Sequence, residues 1–150
     1  MDELVTQSGN EVRPYTRDEI LRLEDAIKTC PQIDPEPLTK HHFAPGIYTR
    51  ELFIPAGTVL TGKIHRHEIM NVLVSGTLKV TTDDGIETLT GPMIFNSKAG
   101  TKKAAVTLTD VIWLNIHPTE STDLQEIEKE FIAPSFDALE RENKLCLGGQ

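Results

Sequence analysis

The stretch Gly62-Lys-Ile-His-Arg-His-Glu-Ile-Met-Asn-Val-Leu-Val-Ser-Gly76 decides the fold of this chain. His65 and His67 lie one residue apart in it, and an apolar run that ends in glycine follows them. If one strand carries both histidines, both rings leave the same face, because successive side chains of a strand alternate. Two imidazoles on one face can share a metal ion when further ligands converge on it. The stretch therefore predicts adjoining strands and a candidate metal site.

Short segments rich in β-branched and aromatic residues surround this stretch. The strongest turn signal is Asp83-Asp84-Gly85, which predicts a hairpin between residues 78–81 and 86–89. Many short strands with no helices between them are typical of an antiparallel sandwich or small barrel and exclude a parallel sheet. The predicted strands cover residues 47–54, 59–67, 70–82, 86–89, 93–95, 104–109 and 111–117.

Helical patterns flank the predicted strands on both sides. Thr16 and Glu19 form a capping box before an apolar stripe at helical spacing, which predicts an amphipathic helix that ends at Cys30-Pro31. If the chain is a self-associating module, this helix would dock on a neighbouring chain; the sequence leaves open whether it packs on its own barrel instead. After Pro118, Thr122 is the predicted cap of a short helix, and another turn or two is predicted between residues 136 and 143. The apolar face of the short helix consists of Leu124, Ile127 and Phe131.

Three parts follow from these patterns. Residues 1–40 are an arm, the first helix and a proline-rich connector, residues 41–118 form the β-domain, and residues 119–150 are a helical tail. The length of 150 residues is typical of one domain.

The overall charge excludes two classes of partner. A net charge of −8 argues against binding to nucleic acid or to an anionic membrane surface. Cys30 and Cys146 lie near opposite ends of the chain, which is not the pattern of a disulfide framework, and no leader sequence or membrane-spanning run is visible. We therefore expect a soluble protein of the cytoplasm with reduced thiols.

Several of these segments together resemble the cupin superfamily. Pro55-Ala-Gly57, the strand with His65 and His67, and residues 72–80 resemble its first motif, in which a G-x5-H-x-H-x3/4-E-x6-G segment spans two strands. Residues 91–107 lie where the second motif, G-x5-P-x-G-x2-H-x3-N, is expected. The resemblance covers residues 42–118 and implies a mainly β chain with the cupin-type double-stranded β-helix, or jelly roll.

The family pattern implies a four-ligand metal site, and this chain departs from it. Asn71 or Val72 stands where the glutamate is expected, and Glu68 is the nearest carboxylate. Lys103 replaces the histidine of the second motif, and Thr107 replaces its asparagine. An ammonium group adds repulsion where a metal ion needs a donor, so we predict an incomplete site with no cofactor bound. If a divalent metal such as Fe, Mn, Ni or Zn does bind, the candidate ligands are His65, His67, Asn71, Glu68 and His117.

The last predicted strand has two contrasting faces. Ile112, Leu114 and Ile116 form a fully apolar face, which we expect to fill the barrel, whereas Trp113 lies on the opposite face. A tryptophan on the outside must be covered by a helix or a second subunit, which favours a homo-oligomer. His117, before Pro118, is expected at the surface.

Longer blocks are similar to small cupin-like proteins encoded by tailed bacteriophages and prophages. These blocks are His41–His65, Gly100–Lys103, Val111–Thr119 and Thr122–Glu128. The resemblance implies a viral origin, a place in the host cytoplasm or the virion, and other phage structural proteins as partners. It does not fix the function, because one fold serves many functions.

Two functions are consistent with these features. The first is a non-catalytic structural or binding module that associates with itself. The second is a metal-dependent cupin enzyme, such as a small-molecule dioxygenase or isomerase, that uses His65 and His67. A variant of the second is metal-free sugar-nucleotide epimerisation, with a histidine as base and Tyr48 as acid.

Overall fold

A computed structural model describes residues 14–148, so the predicted N-terminal arm lies mostly outside the described residues. The helices are α1 (Arg17–Lys28), α2 (Leu124–Phe131) and α3 (Phe136–Gly148), and a 3-10 turn spans Glu36–Leu38. The strands are β1 (Thr39–Ala44), β2 (Ile47–Ile54), β3 (Val59–Thr61), β4 (Ile64–His65), β5 (Ile69–Ser75), β6 (Thr77–Thr82), β7 (Gly85–Thr90), β8 (Met93–Ser97), β9 (Ala104–Thr107), β10 (Val111–Pro118) and β11 (Ile132–Ala133).

Two antiparallel sheets enclose the core. The five-stranded sheet has the order β1-β2-β10-β5-β8, the four-stranded sheet has the order β3-β9-β6-β7, and β4 pairs with β11. Consecutive strands cross repeatedly from one sheet to the other, which is the jelly-roll arrangement. The predicted fold class is confirmed. The buried core between the sheets consists of Ile54, Leu73, Leu78, Val80 and Val111.

Turn chemistry explains where the strands begin and end. The predicted hairpin is confirmed, with Thr82 opposite Gly85 in the β6–β7 ladder. The strand predicted over residues 70–82 is instead two strands, divided at Gly76. Gly76 has φ +94°, and a Cβ there would lie 2.1 Å from the backbone oxygen of Asp110. Only glycine fits this close approach, so the chain can pass from one sheet to the other at this point.

The strand predicted over residues 59–67 is also wrong, because it ends at His65. The backbone N–H of Arg66 donates to the carbonyl of Phe131 at 2.8 Å, and its side chain bonds to the carbonyl of Ile132. The C-terminal segment thus takes the hydrogen bonds that a continuing strand would have used. His67 therefore does not share a strand face with His65.

Helix α1 begins as predicted and docks on its own barrel. The capping box of Thr16 and Glu19 is confirmed, and Ile20 is buried. The carboxylate of Glu24 accepts a hydrogen bond from Thr61 on β3 and pairs with Lys102, each at 2.7 Å. Within this chain α1 therefore packs on β3 of its own barrel.

The C-terminal helices close one end of the barrel. Asp123 caps α2 in place of the predicted Thr122, because its carboxylate accepts from the first free backbone amides. Ile127 and Phe131 are buried on the predicted face and pack with Tyr48 of β2, while Leu124 stays exposed. Helix α3 is longer than predicted.

The two faces of β10 are the reverse of the prediction. Val111 and Trp113 pack in the core, so the odd-numbered side chains face the interior and Ile112, Leu114 and Ile116 face outwards. The prediction failed because it took the purely apolar face for the core face. The indole N–H of Trp113 instead finds an acceptor inside the barrel, as a buried tryptophan requires.

Candidate functional site

The fold brings His65 and His117 together at one end of the barrel interior. Their ring centroids lie 6.2 Å apart, although the residues come from β4 and from the end of β10. His117 is only 5% exposed, so the expectation of a surface residue is wrong. Helix α2 causes this burial, because the ring of Phe131 lies 4.6 Å from that of His117.

A row of stacked rings extends from this pair. Tyr48 lies 5.6 Å from His117, and His41 lies 5.9 Å from Tyr48, with nearly parallel rings in both cases. Nδ1 of His41 and the hydroxyl of Tyr48 lie within hydrogen-bond distance at 2.8 Å. We call His41, Tyr48, His117 and His65 the ring stack.

The two buried imidazoles of the ring stack are neutral at neutral pH. Burial lowers the pKa of His65 to about 4, and the positive charges of Lys103 and Arg50 act in the same direction. Burial and then Arg50 lower the pKa of His117 to about 4. Nδ1 of each ring is buried and has no hydrogen-bond partner. Two neutral imidazoles with unused nitrogens can bind a metal ion or accept and donate hydrogen bonds.

Arg50 of β2 also faces the barrel interior. It lies opposite Asn115 on one side and His41 on the other, in the ladders that join β2 to β10 and β1. Tyr48 and Ile54 lie on the same face of β2 as Arg50, and both are buried. Sequence analysis missed Arg50, although the alternation of β2 places it on the same face as Tyr48.

Asn71, a predicted ligand, is instead the centre of a hydrogen-bond network. Its side-chain oxygen accepts from Trp113 at 3.2 Å and from Asn115 at 2.7 Å, and its amide nitrogen donates to Ser97 at 2.8 Å. The residue is 1% exposed. An amide oxygen that already accepts two hydrogen bonds has no lone pair left for a metal ion, so the role of Asn71 is structural.

Lys103 enters the same network from the opposite side. Its ammonium group donates to the hydroxyl of Ser97 and lies 6.0 Å from the ring of Phe95. Burial lowers the pKa of Lys103 to about 8, and the negative charge of Asp83 acts in the opposite direction. Lys103, which stands where the cupin-like motif predicts a histidine, therefore reaches into the barrel.

The other two predicted ligands lie away from this interior. His67 is exposed in the bend after β4, where its ring meets the edge of Phe131. Glu68 is exposed as well, and its carboxylate accepts from Asn96 at 3.1 Å. The structure thus brings together His65 and His117 but not His65 and His67.

The donor set is incomplete for a divalent cation. His65 and His117 are the candidate ligands inside the barrel, and the cationic side chains of Arg50 and Lys103 face them. Between residues 14 and 148, no three histidine, cysteine, aspartate or glutamate side chains converge as metal ligands do. A carboxylate or a further imidazole would be needed to complete the shell of the ion, and only a carboxylate would also offset its charge.

Comparisons with known proteins reach only distant structures. Neither a family model nor a curated protein matches the sequence. Among solved structures, KdgF from Halomonas sp. is similar, with 20% identity, 65% of this chain and 93% of that chain covered, and a TM-score of 0.49. A cupin-2 domain protein from Shewanella frigidimarina has 11% identity, coverage of 65% and 92%, and a TM-score of 0.45. The cupin domain of a transcriptional regulator from Enterobacter cloacae has 15% identity, coverage of 54% and 96%, and a TM-score of 0.46.

Solved structures similar to this chain thus include cupin-2 domain proteins. None of the helices between residues 14 and 148 is long and apolar enough to cross a membrane.

Proposed function

We propose that this chain is a non-catalytic jelly-roll module that binds a second copy of itself through the outer face of its five-stranded sheet. The observation that carries the proposal is the chemistry of this face. On β5 and β10 every outward side chain near the middle of the sheet is apolar, and β8 contributes another. We call this set the outer patch: Met70, Val72, Val74, Ile94, Ile112, Leu114 and Ile116.

Strand register makes the outer patch continuous. Val72 lies directly opposite Ile94 on one side and Leu114 on the other, and Ile116 lies opposite Met70. Ile94 is 65% exposed and Met70 is 44% exposed. The helices leave the patch open, since α1 packs on β3 while α2 and α3 pack on β11. A contiguous apolar surface of this kind marks a site of protein association.

The lack of charge on the outer patch makes it suited to a second copy. Two chains that each carry −8 repel one another, and this repulsion is smallest where the contact surface itself is uncharged. The outer patch has no charged side chain, and charges of both signs, Lys40 and Glu51, lie at its rim on β1 and β2. A twofold axis through the patch would set the same apolar side chains against each other, as in most homodimers.

Light scattering and sedimentation test the proposal. We expect the wild type to be a dimer or larger, and Ile94→Lys to dissociate it, because an unpaired lysine buried in an interface costs several kcal/mol. The control is Leu108→Lys, since Leu108 is also exposed, at 50%, but lies in the turn after β9, away from the patch. A monomeric wild type, or equal dissociation by both substitutions, would rule out the outer patch as the interface.

The second candidate is a metal-dependent enzyme. The proximity of His65 and His117 supports it, because neutral imidazoles are the form that binds metals. Elemental analysis of protein purified without an affinity tag tests it. Stoichiometric iron, manganese, nickel or zinc that is lost in His65→Ala would support the enzyme, and a metal-free wild type would count against it. Lys103→His should raise metal affinity if Lys103 holds the position of the family's ligand.

A place in a phage particle is a further part of the proposal, and it is supported only by the sequence resemblance. Mass spectrometry of purified particles tests it. Many copies per particle would support a virion protein, whereas detection only in the host lysate would contradict this.

A further inference from the structure

Two cationic side chains face the barrel interior without a counter-ion. Among residues 14–148, no ion pair involves Arg50 or Lys103, although eight ion pairs form elsewhere on the chain. Asp83, the carboxylate that acts on Lys103, pairs instead with Lys98 at 3.5 Å. A half-buried cation without a partner is costly, because the loss of hydration is not repaid.

Both cations lie within electrostatic reach of His65 and beside the network around Asn71. Both charges lower the pKa of His65, and Arg50 also acts on His117 and on the hydroxyl of Tyr48. Their positions agree with this, since Arg50 lies opposite Asn115, whose amide bonds to Asn71, and Lys103 reaches the same network through Ser97. Arg50 and Lys103 thus approach the network from the two ends.

A buried imidazole nitrogen of His117 is also unpartnered, and it can donate a hydrogen bond when it carries the proton of the ring. His117 is 5% exposed, and its Nδ1 has no partner. The ring stack and the network around Asn71 contribute imidazole, phenol and amide groups, and no carboxylate lies among them. Guanidinium, ammonium and N–H groups are the chemistry that recognises carboxylates and phosphates.

We infer that the barrel interior binds a compact oxyanion, a carboxylate or a phosphate, between Arg50 and Lys103, with His117 as a further contact. The guanidinium of Arg50 can bind two oxygens of the anion side by side, and the ammonium of Lys103 can bind a third. The anion supplies the counter-charge that the chain lacks at this place. The inference concerns the interior only and holds whether or not the outer patch binds a second copy.

Thermal unfolding with added anions tests the inference. The probes are inorganic phosphate and succinate, each compared with chloride at equal ionic strength. A ligand at tenfold its dissociation constant should raise the melting temperature by about 4 °C for a chain of this size. A larger rise with phosphate would identify phosphate groups as the preferred ligand, and a larger rise with succinate would identify carboxylates.

Three variants separate specific binding from the general stabilising effect of such salts. Lys103→Met and Arg50→Met should each lose the anion-dependent rise, whereas Lys103→Arg should keep it. In chloride, Lys103→Met should melt at or above the wild-type temperature, because it removes an unpaired cation. This outcome distinguishes a lost ligand from a damaged fold.

The matched control is Lys79→Met, because Lys79 lies on β6 with its neighbours Leu78 and Val80 buried on the opposite face. It should keep the full anion-dependent rise. The inference is overturned if neither anion raises the melting temperature of the wild type beyond chloride. It is also overturned if Lys79→Met loses the rise as much as Lys103→Met does.

Discussion

Acid should destabilise this protein through His117, and His117→Phe should relieve part of that effect. The ring of His117 is enclosed by Tyr48, Phe131 and His65, and the charge that faces it is the positive charge of Arg50. No carboxylate faces it from these neighbours to stabilise an imidazolium. Phenylalanine keeps the ring packing and removes the group that titrates.

The size and sign of the effect follow from the lowered pKa. In the unfolded chain His117 takes up a proton below about pH 6.5, whereas the folded chain keeps it neutral down to about pH 4. The free energy of unfolding therefore falls as the pH drops from about 6.5 to about 4. Below about pH 4, protonation of His117 lowers it no further. The difference in pKa corresponds to roughly 3 kcal/mol in full, of which about 2 kcal/mol is lost by pH 5.

Urea unfolding followed by the fluorescence of Trp113 measures this loss at pH 7, 6 and 5 in chloride buffers. We expect His117→Phe to gain about 2 kcal/mol over the wild type between pH 7 and 5. His67→Gln is the control, because that exposed ring meets water in both states, and it should follow the wild-type profile. Parallel profiles for the wild type and His117→Phe would refute the reasoning.

Three further substitutions test the fold. Asn71→Ala should cost roughly 3 kcal/mol in urea unfolding, because it leaves Trp113 and Asn115 without an acceptor, whereas Asn96→Ala on the outside should cost less than about 0.5 kcal/mol. Gly76→Ala should reduce the yield of folded protein severely, since its Cβ would collide with backbone; normal expression and melting would contradict the close approach seen there. Thr16→Ala should lower stability by about 1 kcal/mol through loss of the α1 cap, and an unchanged melting temperature would show that the cap contributes nothing.

The candidate site was only partly visible in the sequence. His65 was identified, and the position of Lys103 was recognised as a departure from the family pattern. His117 was named as a ligand but was expected at the surface, because nothing near it in sequence shows that α2 folds over it. Arg50 was missed, although its strand was predicted correctly, because a charged residue in a strand is more often found on the solvent face than on the interior one.

Local chemistry was sufficient for the parts of the fold that depend on a few neighbouring residues. The capping box at Thr16, the hairpin at Asp83-Asp84-Gly85 and the strand over residues 47–54 all depend on such short-range preferences, and the structure has them where predicted. The spacing of the strands was likewise enough to predict an antiparallel sandwich or small barrel, and the resemblance to the cupin superfamily implied the jelly roll.

Only the tertiary structure decided which side chains meet and which face of a strand is inside. His65 and His117 are 52 residues apart in sequence and come together because β4 pairs with β11 and α2 covers the barrel end. The inner face of β10 is the more polar one, because Asn115 finds a partner across the sheet in Asn71. Burial depends on contacts between distant segments, and polar groups can be buried wherever such contacts satisfy them, so a pattern along one strand cannot determine its inner face.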